Sequence, residues 1–167
     1  GADKGPDAVL EASVNLEFYD IETGSEVHLH GIHTIEPLLV KESPEKLVDA
    51  VHRKVSFLLG ENKFPVVVGG NHTVSIGAAK AFAGHYRNLS ILQLDAHSDL
   101  RPEYEGSPFN HACAMARMRE YAPIVQVGIR SMSKEEVPLA DTERIFPAHK
   151  LYIDKSGYGK AIELLSG

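Results

Sequence analysis

Apolar residues between Ser43 and Gly60 recur at helical spacing: Leu47, Val48, Val51, Val55, Leu58 and Leu59 share one side of an α-helix. Ser43 as N-cap, Pro44 at the first position and Gly60 as stop complete the prediction for "SPEKLVDAVHRKVSFLLG". The pattern then changes. "FPVVVGG" is a continuous β-branched run ending in two glycines, as expected of a buried parallel strand, and "SIGAAKAFAGHY" follows as a crossover helix. "LSILQLD" repeats the strand pattern. Beyond the polar loop "HSDLRPEYEGSPFN" a helix is predicted around "HACAMARMREY" and a third strand at "IVQVGI". Upstream, Pro6 and Asp7 predict a short helix over residues 6–14, and two β-leaning pieces, "LEFYDI" and "EVHLHGIHTI", flank the turn-like "ETGS". "GYGKAIELLS" predicts a last helix.

Strands alternating with helices make the fold class α/β, in the manner of a doubly wound parallel sheet, whose ligands collect at the carboxyl ends of the strands. A chain of 167 residues, 43% hydrophobic, suits one α/β domain spanning residues 1–167. The net charge of -6 argues against a nucleic-acid partner and would suit a small cationic ligand. Cys113 is the one cysteine, so no intrachain disulfide forms. Without a long apolar segment or a visible signal peptide, the expectation is a cytoplasmic protein with no membrane partner, although a chain opening on Gly-Ala without Met leaves a preceding targeting segment open.

Asp95, His97 and Asp99 follow the predicted strand "LSILQL" at alternate positions. In extended backbone such residues point to one side, so all three can converge where the strand leaves the sheet. His72 occupies the same end of the preceding predicted strand, after Gly69 and Gly70. Mixed imidazole and carboxylate donors suit manganese, iron(II) or zinc, and the lack of thiolates disfavours a cysteine-type structural zinc. Loop polarity or helix capping would account for Asp-x-His-x-Asp alone; the strand context and His72 favour the metal. A metal held in this way lowers the pKa of a bound water to about 7, which is a hydrolase's requirement. Other motifs carry less. Gly69-Gly70 lacks the Lys of a P-loop and the spacing of a dinucleotide fingerprint, His28 and His30 read as surface histidines of a possible strand, Met115 and Met118 as core, and Cys113 as a buried helix cysteine.

"VVVGGNHTVSIG" together with "LQLDAHSDLRPEYEGSPFNHACAMAR" resembles the ureohydrolase family of arginases and agmatinases, the agmatinase branch most closely. Residues 69–73 match its Gly-Gly-Asp/Glu-His-Ser motif and residues 95–99 its Asp-Ala-His-x-Asp motif; "GADKGPDAVLEAS" and "VGIR" are similar to two further family segments. The resemblance implies a three-layer α/β/α fold with a mostly parallel sheet, a trimeric or hexameric homo-oligomer, and two manganese ions. His72 and Asp99 would hold one ion and His97 the other, with Asp95 bridging them. It further implies that a hydroxide between the metals attacks the guanidinium carbon, giving a tetrahedral intermediate that collapses to urea and an amine, with His111 as the catalytic proton shuttle. Agmatine, yielding putrescine and urea, is the implied substrate. Glu103 and Glu105 in the loop after the second motif would repel an arginine carboxylate, although a solvated loop is the weightier reading of both. Arginase, guanidinobutyrase and formiminoglutamase activities are the alternatives.

Two departures stand out. Asn71 replaces the usual acidic residue beside His72, and the expected effect is tuning of the ligand's orientation. The family's third motif, Ser/Thr-x-Asp-x-Asp-x-x-Asp-Pro, and the substrate-holding Glu that follows it have no counterpart, since "LYIDKSG" with Asp154 does not match. The expectation is therefore a fragment of a longer domain, inactive alone, or else a truncated homologue in a regulatory role.

Overall fold

The computed structural model describes residues 2–165. A 3-10 turn at Ala2–Lys4 leads into α1 (Gly5–Ser13), where Pro6 occupies the first turn, close to the predicted 6–14. The "ETGS" turn forms as expected, joining β1 (Tyr19–Asp20) to β2 (Ser25–Glu26) as an antiparallel pair with Tyr19 opposite Glu26. Gly24 takes φ +65 in that turn, and the Asp20 carboxylate accepts the Glu22 and Thr23 N–H groups. The strands reach no further. "EVHLHGIHTI", β-leaning but open to strand or ordered loop, forms a 3-10 helix at Val27–His30, and Leu16, Phe18, Ile21, Leu29 and Ile32 around it stay exposed. Gly70 belongs to the same unit of the chain, which runs to Leu39 and includes Val68–Gly70. A Cβ on Gly70 would lie 1.6 Å from the Ala2 carbonyl oxygen, so only glycine admits this crossing.

"FPVVVGG" corrects the sequence reading. Residues 63–69 form no regular secondary structure and pair with no strand among the described residues, and Phe64 is 88% exposed. A buried parallel strand needs ladder partners on its edges and helices on its faces; this segment has the composition without the partners.

The second unit comprises Val40–Val67 and the chain from Asn71 on. Here α2 (Pro44–Gly60) follows its prediction, with the Ser43 hydroxyl accepting the Lys46 N–H and Val48, Val51, Val55 and Leu59 buried. It packs on α3 (Thr73–His85) at close range, because a Cβ on Gly77 would fall 2.4 Å from the Val48 carbonyl oxygen. The predicted strands "LSILQLD" and "IVQVGI" become β3 (Ile91–Leu94) and β4 (Ile124–Ile129), paired in parallel with Ile91 opposite Ile124 and Leu94 opposite Val127. The helix expected around "HACAMARMREY" is a 3-10 turn, His111–Cys113, running into the short α4 (Ala114–Met118). Two elements escaped the sequence reading: β5 (Ile145–Pro147), parallel to β4, and α5 (Ala148–Ile153). The final predicted helix is α6 (Ser156–Leu165); Ser166, the last residue of that reading, lies outside the described residues.

The three strands lie in the order β3-β4-β5 between two helical layers. Alternation along β4 explains this: Ile124 joins Val48, Ile76, Met115 and Met118 on one face, while Val125 and Val127 join Leu151 and Ala161 on the other. An α/β/α arrangement with a parallel sheet results. No described helix is long and apolar enough to cross a membrane.

Candidate metal centre

The site forms where β3 runs out. Asp95 continues the ladder by donating its N–H to the Val127 carbonyl at 3.1 Å. One residue on, the Ala96 carbonyl accepts both Arg130 N–H (2.8 Å) and Ser131 N–H (2.9 Å), and Ser98 N–H reaches the Ser131 carbonyl. The chain thus stays extended past the sheet edge and the alternation persists. Ser98 points down into the protein, fully buried, while Asp95 and His97 face the opposite way. Gly128 permits this close passage: it sits at an irregularity of the β4–β5 register with φ +91, and a Cβ on it would lie 3.1 Å from the Asp95 carbonyl oxygen. Asp99 then turns the chain through the left-handed region, φ +51, where Asp is among the better-tolerated side chains.

His72 arrives from the start of α3. Asn71 holds that start, since its side-chain oxygen accepts the Thr73 N–H (3.0 Å) and hydroxyl (2.8 Å). An amide oxygen accepts these two bonds as a carboxylate would.

The His72 ring lies between two carboxylates. Nδ1 donates to Asp99 Oδ2 at 2.6 Å and Nε2 lies 3.3 Å from Asp95 Oδ2. Asp95 turns its other oxygen, Oδ1, to His97 Nδ1 at 3.3 Å, and the same oxygen accepts the His97 backbone N–H at 2.8 Å. One carboxylate therefore stands between two imidazoles. The hydrogen bond to Asp99 raises the His72 pKa; burial opposes it, and the charges of Asp99 and Asp95 add to the rise. Burial pushes Asp95 up, but the His97 N–H and the neighbouring His72 outweigh it and leave the group below its ordinary value.

Donor atoms of His72, Asp95 and Asp99 all lie within 4.8 Å of one another, a set of one imidazole and two carboxylates that suits a divalent cation in place of the shared proton. His97 adjoins this group through Asp95, its ring more exposed. His111 stands apart from it in the described contacts: it opens the 3-10 turn behind Asn110 and meets Tyr104 edge-on, ring centres 5.7 Å apart. Glu103 and Glu105 are exposed on the intervening loop, and Cys113 is buried with its thiol pushed up by that burial.

Sequence reasoning missed what lies beneath. Gln93 and Gln126 are buried, opposite each other on β3 and β4, and share a hydrogen bond. Gln93 also donates to the His97 carbonyl (3.2 Å), and Gln126 to that of Ser98 (2.7 Å). A glutamine inside each apolar strand run was the available signal. Buried Glu136 had none, being one of two adjacent glutamates in "SKEEVP".

The chain is similar to known proteins over most of its length. Over 153 residues the chain is 37% identical to the N(1)-aminopropylagmatine ureohydrolase of Synechocystis sp., covering 87% of this chain and 50% of that protein. It is 33% identical to the agmatinase of Bacillus subtilis, covering 81% and 48%. The crystal structure of the agmatine ureohydrolase of Thermoplasma volcanium superposes with a TM-score of 0.86 at 30% identity, over 99% of this chain and 57% of that one. The chain thus spans about half the length of the curated relatives it matches. The arginase family model matches residues 1–165, and the chain belongs to the arginase family.

Proposed function

We propose that this chain supplies part of a metal-dependent hydrolase of guanidino compounds, with agmatine as substrate and putrescine and urea as products. The observation that carries the reading is Asp95, one oxygen toward His72 and the other toward His97, with Asp99 completing the His72 side. In this reading His72, Asp95 and Asp99 would hold one manganese ion, and His97 together with Asp95 would contribute to the site of another. Ions bound there supply a water deprotonated near neutral pH. The protein's own groups do the remainder. The cluster of carboxylates, with Glu103 and Glu105 on the adjoining loop, favours a cationic guanidinium and disfavours a substrate bearing a carboxylate. His111, an imidazole on the loop side of the site, returns a proton to the departing amine. A cytoplasmic homo-oligomer working in polyamine formation completes the proposal.

A second reading has its own support: the name of the 37% identical relative makes N(1)-aminopropylagmatine, a longer polyamine-like cation, a rival to agmatine. The test is urea release by the full-length protein with manganese, comparing kcat/KM for agmatine, N(1)-aminopropylagmatine, arginine and guanidinobutyrate. Preference for either agmatine compound supports the reading and chooses between the two. Tight manganese binding with no urea from any of the four overturns catalysis and favours a regulatory homologue.

A further inference from the structure

We infer that Glu136 is a positioning residue for the metal-binding loop, an inference resting on the reading of His72, Asp95, His97 and Asp99 as ligands. Among the described residues the buried polar side chains are Thr73, Gln93, Ser98, Asp99, Gln126 and Glu136. None is scattered elsewhere in the core. Thr73 holds Asn71 beside His72, Gln93 and Gln126 hold the carbonyls of His97 and Ser98, and Glu136 holds the two residues that flank Asp99.

Glu136 is 4% exposed. Its Oε1 accepts the Ser98 hydroxyl at 2.6 Å and the Leu100 N–H at 2.8 Å; its Oε2 accepts the Ser133 N–H at 2.8 Å and lies 3.8 Å from Arg101 Nε. One oxygen therefore ties the chain on both sides of Asp99, and the other anchors the assembly to the turn before Val137. This matters because Asp99 has φ +51, a conformation that relaxes toward more populated backbone unless its neighbours are fixed. The Asp99 carbonyl is fixed as well, accepting the Met115 and Ala116 N–H groups at the start of α4, each at 3.0 Å. The Asp99 carboxylate is thus aimed by restraints on every side of its own backbone. A buried carboxylate is costly unless its oxygens are fully bonded. Core packing would be served by an apolar residue; a charged acceptor with three donors is needed where backbone direction must be held.

The experiment uses the full-length protein and its Glu136→Ala, Glu136→Gln and Ser98→Ala variants. Manganese affinity is measured by calorimetric titration, the ligand geometry by the electron paramagnetic resonance spectrum of bound Mn(II), and folding by urea melts in chelator. Glu136→Ala is expected to weaken manganese binding by roughly 10–100-fold and alter the spectrum. Glu136→Gln, which keeps an acceptor for Ser98 and Leu100, should restore most of the affinity. A Glu136→Ala protein that folds, binds manganese within twofold of the parent and gives the parent's spectrum overturns the inference, however much its melt has shifted. Should Glu136→Ala fail to fold, Ser98→Ala decides: a several-fold weaker affinity supports the inference and an unchanged one overturns it. A parent protein that binds no manganese sinks the metal-site reading itself, and this inference with it.

Discussion

Replacing Gly128 by Ala tests how the strand end is built. The residue sits at φ +91, and its missing Cβ would lie 3.1 Å from the Asp95 carbonyl oxygen. Left-handed backbone costs a side-chain-bearing residue about 1–2 kcal/mol. The contact adds to this, because the ladder bond from Asp95 N–H to the Val127 carbonyl keeps that carbonyl from retreating. Against both stands a gain of about 0.4–1 kcal/mol from the stiffer unfolded chain. The net expectation is destabilisation by about 1–2 kcal/mol. With a typical urea slope of about 2 kcal/mol per molar, that lowers the midpoint by roughly 0.5–1 M. The site should respond too, since any shift of Asp95 moves the carboxylate between His72 and His97; manganese affinity is expected to fall several-fold. Paired urea melts, in chelator and with manganese, measure both effects, the variant gaining less from the metal than the parent. A midpoint that stays put or rises in chelator would refute the account of Gly128.

Three further outcomes are expected. In the metal-free protein His72 should titrate above 6.5 by NMR, because Asp99 stabilises its charged form; its stabilising contribution is whole below 6.5 and disappears as pH rises through the raised value, while manganese affinity climbs over that interval as the competing proton leaves. Asp99→Asn should return the imidazole towards its ordinary value, and an unmoved His72 titration would contradict the assigned cause. Asn71→Ala removes the acceptor for Thr73 at the start of α3 and should cost about 1 kcal/mol in a urea melt, whereas Asn71→Asp keeps the acceptor, adds a charge at a helix N-terminus and should match or exceed the parent. Gly77→Val would drive a side chain into the Val48 carbonyl and the Val51 Cβ, so thermal denaturation should show a loss of about 1–3 kcal/mol.

The legible parts of the fold were those whose stability is local or whose burial is complete. α2 carries its cap, its stop and its apolar stripe within one stretch, and β4 reads as a strand because both of its faces are covered. β5 was missed because three residues with a proline at the end carry little pattern. Residues 63–69 failed for the opposite reason: their composition is that of a core strand, but pairing depends on neighbours elsewhere in the sequence, which a local run does not specify. At the site, alternation predicted that Asp95, His97 and Asp99 share a side, and the glycine-ended apolar run before it added His72. Neither could reveal Glu136, which is 36 residues from Leu100 and joins it only through the fold.

Several locally unfavourable features of the described residues gather in one place. Asp99 in the left-handed region, Gly128 pressed against a carbonyl, the buried Gln93–Gln126 pair and the buried Glu136 carboxylate all adjoin the segment from Asp95 to Leu100. Asn62 and Glu105 also have positive φ, but both are exposed, where relaxation into solvent limits the strain. Elsewhere the core is apolar, with Ile76, Val125 and Met115 essentially inaccessible, as packing alone would dictate. A sequence selected only for stability would replace the polar layer with aliphatic side chains and let the loop relax. Its retention beneath the one group of described imidazole and carboxylate donors that could share an ion is what a metal site held to a fixed geometry requires.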